Sequence, residues 1–164
     1  MIKVLVIDDS AFMRRLYKNT INEDPNLEVI DTARNGQKGL EKIKELNPDV
    51  ITLDVEMPVK NGIDTLKEIV EMDEPVPVVM VSALDNRDTV MTALDLGAFD
   101  FIPKPSGSIS LNIDDIKDRL LEKLKAAADY KEKISSKSKK ETTEIQPITR
   151  KIKTKKIKQK GKNL

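Results

Sequence analysis

The stretch Ile2-Lys3-Val4-Leu5-Val6-Ile7-Asp8-Asp9 decides how the rest of the chain is read. Apart from Lys3, its first six residues form a continuous apolar run, as in a parallel strand covered on both faces. Two carboxylates follow at once, where such a strand would end. Ser10 is a suitable N-cap for a helix carrying Phe12, Met13, Leu16 and Ile21 and stopping near Asp24-Pro25.

The alternation then repeats. Leu27–Ala33 reads as a second strand, followed by a helix with Leu40, Ile43 and Leu46 on one face, ended by Asn47-Pro48. Val50–Leu53 reads as a third strand, leading into the turn Met57-Pro58-Val59-Lys60-Asn61-Gly62 and a helix over Ile63–Met72. Val76–Val81 is expected as a fourth strand. Asn86 can cap a helix through Leu96, with Gly97 closing it. Ala98–Ile102 is expected as a fifth strand, and Asn112 or Asp114 opens a last helix to about Ala128. Strands and helices in strict alternation with short links predict an α/β domain with a doubly wound, five-stranded parallel sheet. Ligand sites of such sheets lie beyond the carboxyl ends of the strands.

Composition narrows the chemistry. The 164 residues contain no cysteine and no histidine, which excludes thiolate or imidazole metal sites and every catalytic arrangement that needs a histidine base. No apolar stretch approaches the ~20 residues of a membrane span, and the N-terminus does not resemble a signal peptide, so a cytoplasmic location is expected. The net charge of +1 conceals a division. From residue 131 onward there are 13 Lys/Arg against 3 Asp/Glu, whereas the first 130 residues hold 16 against 25. The expected division is a folded domain over 1–128 and a basic, disordered tail over 129–164, where too little apolar area is available to offset ordering entropy.

Five chemically active positions fall at the strand ends: Asp8 and Asp9 after the first, Asp54 after the third, Ser82 after the fourth and Lys104 after the fifth. Singly, each has an ordinary use, the acids and Ser82 as turn or helix caps and Lys104 as a solvated cation. Together they converge on one edge of one sheet. Three carboxylates there repel one another unless a cation intervenes. With oxygen donors alone, the expected cation is Mg²⁺. A hydroxyl and an ammonium group complete an electrostatic cradle for a phosphoryl group.

The residues that carry this pattern resemble the response-regulator receiver family. They are Asp8-Asp9, Asp54 with Met57-Pro58 and Gly62, Ser82-Ala83 and Lys104-Pro105. The resemblance covers about residues 1 to 128 and implies a flavodoxin-like receiver with strand order 2-1-3-4-5. It further implies that Asp54 is phosphorylated by a histidine kinase. Asp8, Asp9, Asp54 and the Glu56 carbonyl would serve Mg²⁺, and Ser82 and Lys104 would contact the phosphoryl oxygens. Ser82 and Phe101 would act as the switch, although a core aromatic is an equal reading of Phe101.

Within that family, Asp8-Asp9-Ser10-Ala11-Phe12-Met13-Arg14-Arg15, Thr32-Ala33-Arg34-Asn35-Gly36 and Phe101-Ile102-Pro103-Lys104-Pro105-Ser106-Gly107 resemble chemotaxis protein-glutamate methylesterases. The partners implied are a chemotaxis-type histidine kinase and a methylesterase domain or chemoreceptor complex. The esterase domain is not found in the sequence, so methylesterase activity is not expected from these residues. Two other functions compete. One is a DNA-binding regulator using the basic tail, disfavoured because no helix-turn-helix follows and the tail lacks stacking aromatics. The other is an Mg²⁺-dependent phosphatase on a similar fold.

Overall fold

A computed structural model describes residues 1–57, 59–83, 87–104 and 113–144, with side chains of the last helix described from 114 to 134. The elements follow one another as β1 (Ile2–Ile7), α1 (Ala11–Asn22), β2 (Leu27–Ala33), α2 (Gly36–Leu46), β3 (Val50–Asp54), α3 (Gly62–Val70), β4 (Val78–Ser82), α4 (Arg87–Leu96), β5 (Asp100–Pro103) and α5 (Ile113–Glu144). The strands form one sheet in the order 2-1-3-4-5, with every neighbouring pair parallel. This is the doubly wound, flavodoxin-like arrangement expected from the alternation. Met1–Lys131 forms one compact unit.

The period of two along each strand distributes the core. Leu5, Ile7, Ile51, Leu53, Val78 and Met80 face one layer, where Leu40 and Ile43 of α2, Leu66 and Ile69 of α3 and Ala93 of α4 cover them. Val4, Val6, Val50, Val79, Val81 and Ile102 face the other, against Tyr17 and Ile21 of α1 and Ile116, Leu120, Leu124 and Ala127 of α5. Nearly all these side chains are below a tenth exposed, so both sheet faces are covered as a parallel sheet requires.

The helix ends have identifiable causes. Ser10 accepts from the Met13 N–H at 3.2 Å, Asn35 from the Lys38 N–H at 2.8 Å and Asn61 from the Asp64 N–H at 2.9 Å. Gly97 has a φ of 121°, and its N–H donates to Leu94 O while the Ala98 N–H donates to Ala93 O. These two bonds make a Schellman stop, which a left-handed glycine permits. The Asn86 cap, Pro58, Pro105, Ser106, Gly107 and Asn112 lie outside the described residues.

Three differences from the sequence expectation have physical reasons. Phe12, expected on the buried face of α1, is 72% exposed, while Tyr17 and Ile21 are buried. At about 100° per residue, Phe12 stands on the opposite side of the helix from Ile21, and Tyr17 stands one turn before it. The fourth strand begins at Val78 because Pro77 lacks an N–H and offers the sheet only its carbonyl, to Ile51 N at 3.0 Å. Helix α5 runs to Glu144, past Ala128, so residues 129–144 of the expected disordered tail are helical. No Gly or Pro interrupts 113–144, so nothing breaks the helix that Ile116, Leu120, Leu124 and Ala127 anchor on the sheet. Residues 145–164 lie outside the described residues.

Gly62 is required by close approach. A Cβ there would lie 2.4 Å from Asp54 O and 2.7 Å from Val55 Cα, backbone atoms that cannot step aside. Gly62→Ala is expected to lower stability by about 2 kcal/mol or more. Urea unfolding measures this, and an unchanged midpoint would contradict the packing of α3 onto the end of β3.

Candidate functional site

β1 and β3 are adjacent, with Val6 opposite Thr52 and Ile7 opposite Leu53. Asp8 and Asp54, one residue further along each strand, therefore arrive level at the carboxyl edge. Asp8 is 2% exposed and Asp54 fully buried, whereas Asp9 is exposed. One carboxylate oxygen from each lies within 4.8 Å of the others.

Lys104 enters from the other side. Its N–H donates to Ser82 O at 2.8 Å, continuing the pairing of β5 with β4. Its ammonium group then lies 2.8 Å from Asp54 Oδ1 and 3.2 Å from Glu56 Oε1. Asp54 Oδ1 also accepts the Glu56 N–H at 3.3 Å. Asp8 Oδ1 accepts the Ser10 N–H at 2.9 Å, and the Asp8 carbonyl takes a 2.8 Å bond from the Arg14 guanidinium. The start of α1 is thus tied directly to the acids. A cleft of about 580 Å³ borders the exposed side, lined in part by Asp9, Glu56, Met57, Asn61 and Thr89.

Burial dominates the electrostatics. Desolvation pushes the Asp54 carboxyl up to about 7, with the negative charge of Asp8 adding to it and the Lys104 bond opposing it. Desolvation likewise raises Asp8, against the Ser10 N–H bond and the charge of Lys104. Burial works to lower Lys104, but bonds to Asp54 and Glu56 outweigh it and hold its pKa above the ordinary value.

Of the residues singled out in the sequence, Asp8, Asp9, Asp54, Glu56 and Lys104 are brought together. Ser82 is buried at the end of β4, its hydroxyl donating to Ala83 O at 3.3 Å, and it meets Lys104 through its backbone carbonyl. Phe101 packs partly into the α2–α3–α4 layer, with the Lys123 ammonium 5.4 Å from its ring centroid. The sequence reading missed the Glu56 side chain, since only its carbonyl was assigned a role, and it missed Lys123 and Tyr17. Nothing in the linear pattern marks Glu56 as a partner of Lys104, 48 residues away. The basic segment from Arg150 lies outside the described residues.

The inner oxygens Asp8 Oδ2 and Asp54 Oδ2 are buried without a hydrogen-bond partner. The carboxylates of Asp8, Asp9 and Asp54, clustered with no nitrogen or sulfur donor among them, fit a hard divalent cation. Metal-free protein should therefore show a definite pH dependence. A carboxyl raised from 3.8 to about 7 favours the fold fully below pH ~4, and that contribution is lost as pH rises through 7. Asp54→Asn removes the buried charge but also the partner of Lys104, so a net gain of about 2 kcal/mol is expected at pH 8, disappearing by pH 4. Urea unfolding across pH measures it, and a gain that does not vary with pH would contradict the assignment.

Residues 4–114 match the response regulator receiver domain family. The protein-glutamate methylesterase/protein-glutamine glutaminase of Halalkalibacterium halodurans is 51% identical over 138 residues, 83% of this chain and 40% of that protein. The protein of the same name from Pyrococcus horikoshii is 54% identical over 129 residues, covering 77% and 35%. The Bacillus subtilis one is 49% identical over 157 residues, covering 93% and 42%. The chain thus spans about two fifths of the length of these relatives. Among solved structures, the response regulator domain of Thermotoga maritima CheB superposes with a TM-score of 0.71 at 46% identity, over 79% of this chain and 97% of that one. A CheX-CheY-BeF3-Mg complex from Borrelia burgdorferi gives 0.64 at 31%, over 76% and 87%. With the strand order and the carboxylates at the strand ends already in place, these matches make the chain a member of the response regulator receiver domain family, as the receiver domain of a CheB-type response regulator.

Proposed function

We propose that Asp54 accepts a phosphoryl group from a chemotaxis-type histidine kinase and thereby controls a methylesterase output. The observation that carries this proposal is the buried Asp54 carboxylate with the Lys104 ammonium 2.8 Å away and two further carboxylates within 4.8 Å. An Asp54 oxygen attacks the phosphorus of a phosphohistidine, the P–N bond breaks, and the imidazole departs as it gains a proton. Lys104 and the Glu56 N–H neutralise charge on the acceptor carboxylate and on the oxygens that arrive with the phosphoryl group. Asp8, Asp9, Asp54 and the Glu56 carbonyl would hold Mg²⁺, which supplies electrostatic neutralisation of the transferred group.

The product adds roughly −1.5 to −2 charge in a site that already strains to hold its carboxylates. The Ser82 hydroxyl, now on Ala83 O, exchanges that bond for a phosphoryl oxygen and draws the following loop inward. Phe101, only partly buried, then turns further into its layer, which shifts a population between two states of one fold. The partner reading the switch is a methylesterase domain or a chemoreceptor complex, and residues beyond 131 serve as the connecting segment. A cytoplasmic setting follows from the kinase, and no helix among the described residues is long and apolar enough to cross a membrane.

Asp54→Asn should abolish transfer of ³²P from phosphorylated kinase or acetyl phosphate, as should chelation of Mg²⁺ with EDTA. Full labelling of the variant would place the nucleophile elsewhere. Turnover of a small phosphate ester with no stable phosphoprotein would favour a phosphatase instead. Lys104→Ala is expected to accept label yet lose most of the output response. A normal response from that variant would remove the lysine from the switch.

A further inference from the structure

Among the described residues, three buried side-chain atoms lack a hydrogen-bond partner: Asp8 Oδ2, Asp54 Oδ2 and the Tyr17 hydroxyl. The three share one layer. Asp8 continues the strand alternation of Val4 and Val6, and Asp54 that of Val50 and Thr52, on the face covered by α1 and α5. Tyr17, 3% exposed, belongs to α1 and packs in that same layer.

The direction of the helix matters. α1 starts at the acids, where the Ser10 N–H bonds Asp8, and runs away from them. Helical side chains lean back toward the N-terminus of their helix, so Tyr17 in the second turn leans toward the strand ends. The hydroxyl also feels those acids. Burial first, then the charges of Asp8 and Asp54, hold its pKa far above the ordinary phenol value. A phenol buried in an apolar layer with its hydroxyl unbonded is worse than a phenylalanine in the same place.

We propose that Tyr17 is a positioning residue for the acid site, its hydroxyl donating to a buried water that in turn donates to Asp8 Oδ2 and Asp54 Oδ2. The arithmetic of donors and acceptors closes. One water accepts one bond and donates two, which satisfies one hydroxyl and two carboxylate oxygens and matches the roughly three bonds of a typical buried water. The Asp54 carboxylate is then held at both ends, Oδ1 by Lys104 and the Glu56 N–H and Oδ2 by the water. Its plane is fixed before any donor arrives, which is the kind of preorganisation that speeds attack.

The kinetic consequence rests on Asp54 being the acceptor, but the hydrogen-bond link does not. With ¹³Cζ-labelled tyrosine in metal-free protein there are two signals, from Tyr17 and Tyr130, assigned by Tyr17→Phe. The Tyr17 signal is expected to move in the Asp54→Asn variant while that of Tyr130 stays, and the Tyr17 ring protons should show a cross-relaxation peak to slowly exchanging water. Separately, Tyr17→Phe and Tyr17→Met, both without the hydroxyl, should take up label from acetyl phosphate about threefold or more slowly than the parent. Tyr130→Phe should match the parent. The proposal is overturned if the Tyr17 signal ignores Asp54→Asn, or if both Tyr17 variants label within about twofold of the parent. Absence of label in the parent itself would instead defeat the acceptor reading, and the tyrosine signals would then decide the link alone.

Discussion

The structure depends on holding a carboxylate out of bulk solvent. Asp54 is fully buried at the end of a central strand, beside a second buried acid and one ammonium group. Ionisation of Asp54 is opposed by desolvation more strongly than Lys104 favours it, which is why its pKa rises to about 7 although an opposite charge touches it. Such a group is held in place by the fold, not stabilised by it. A cation or a phosphoryl group at the acids changes the balance of charge for the whole edge, so chemistry at one oxygen is felt by every element that ends there.

The fold supplies that constraint through register. β1 and β3 are paired so that Asp8 and Asp54 come level, and the pairing of β4 with β5 brings Lys104 to Ser82 and on to Asp54. A slip of one residue in β3 would turn Asp54 to the other face and Leu53 toward α1 and α5. Apolar burial on both faces prevents it. The loop after β3 is fitted just as closely. Gly62 lies against the Asp54 carbonyl, and Val59 takes a φ of 67°, a strained value for a β-branched residue in a segment that borders the acids. The rigid sheet fixes the acids and the strain sits in the loop.

Much of this was legible in the linear chain because strands covered on both faces leave a simple record. Ile2–Ile7 and Leu27–Ala33 match β1 and β2 as observed, and the alternation alone places the acids at the carboxyl ends of β1 and β3, on one edge of the sheet. Helical faces were harder. The aromatic Phe12 suggests the wrong side of α1, when counting back from Ile21 in steps of four selects Tyr17. α5 outran its expected end because the sequence was read for an apolar face, while no Gly or Pro stands between Ala128 and Glu144 to break a helix already anchored on the sheet. Glu56 and Lys123 act across gaps in sequence that no local pattern encodes.

The chain is a receiver domain, and the curated relatives are more than twice its length. On the proposed reading, whether the domain switches is decided at Asp54. The most direct measurement is chemical. After incubation with acetyl phosphate and Mg²⁺, borohydride should reduce an aspartyl phosphate to homoserine, and peptide mass spectrometry should find that change at position 54 alone. Reduction at another acid, or at none while the protein remains folded and Mg²⁺ is present, would contradict the account.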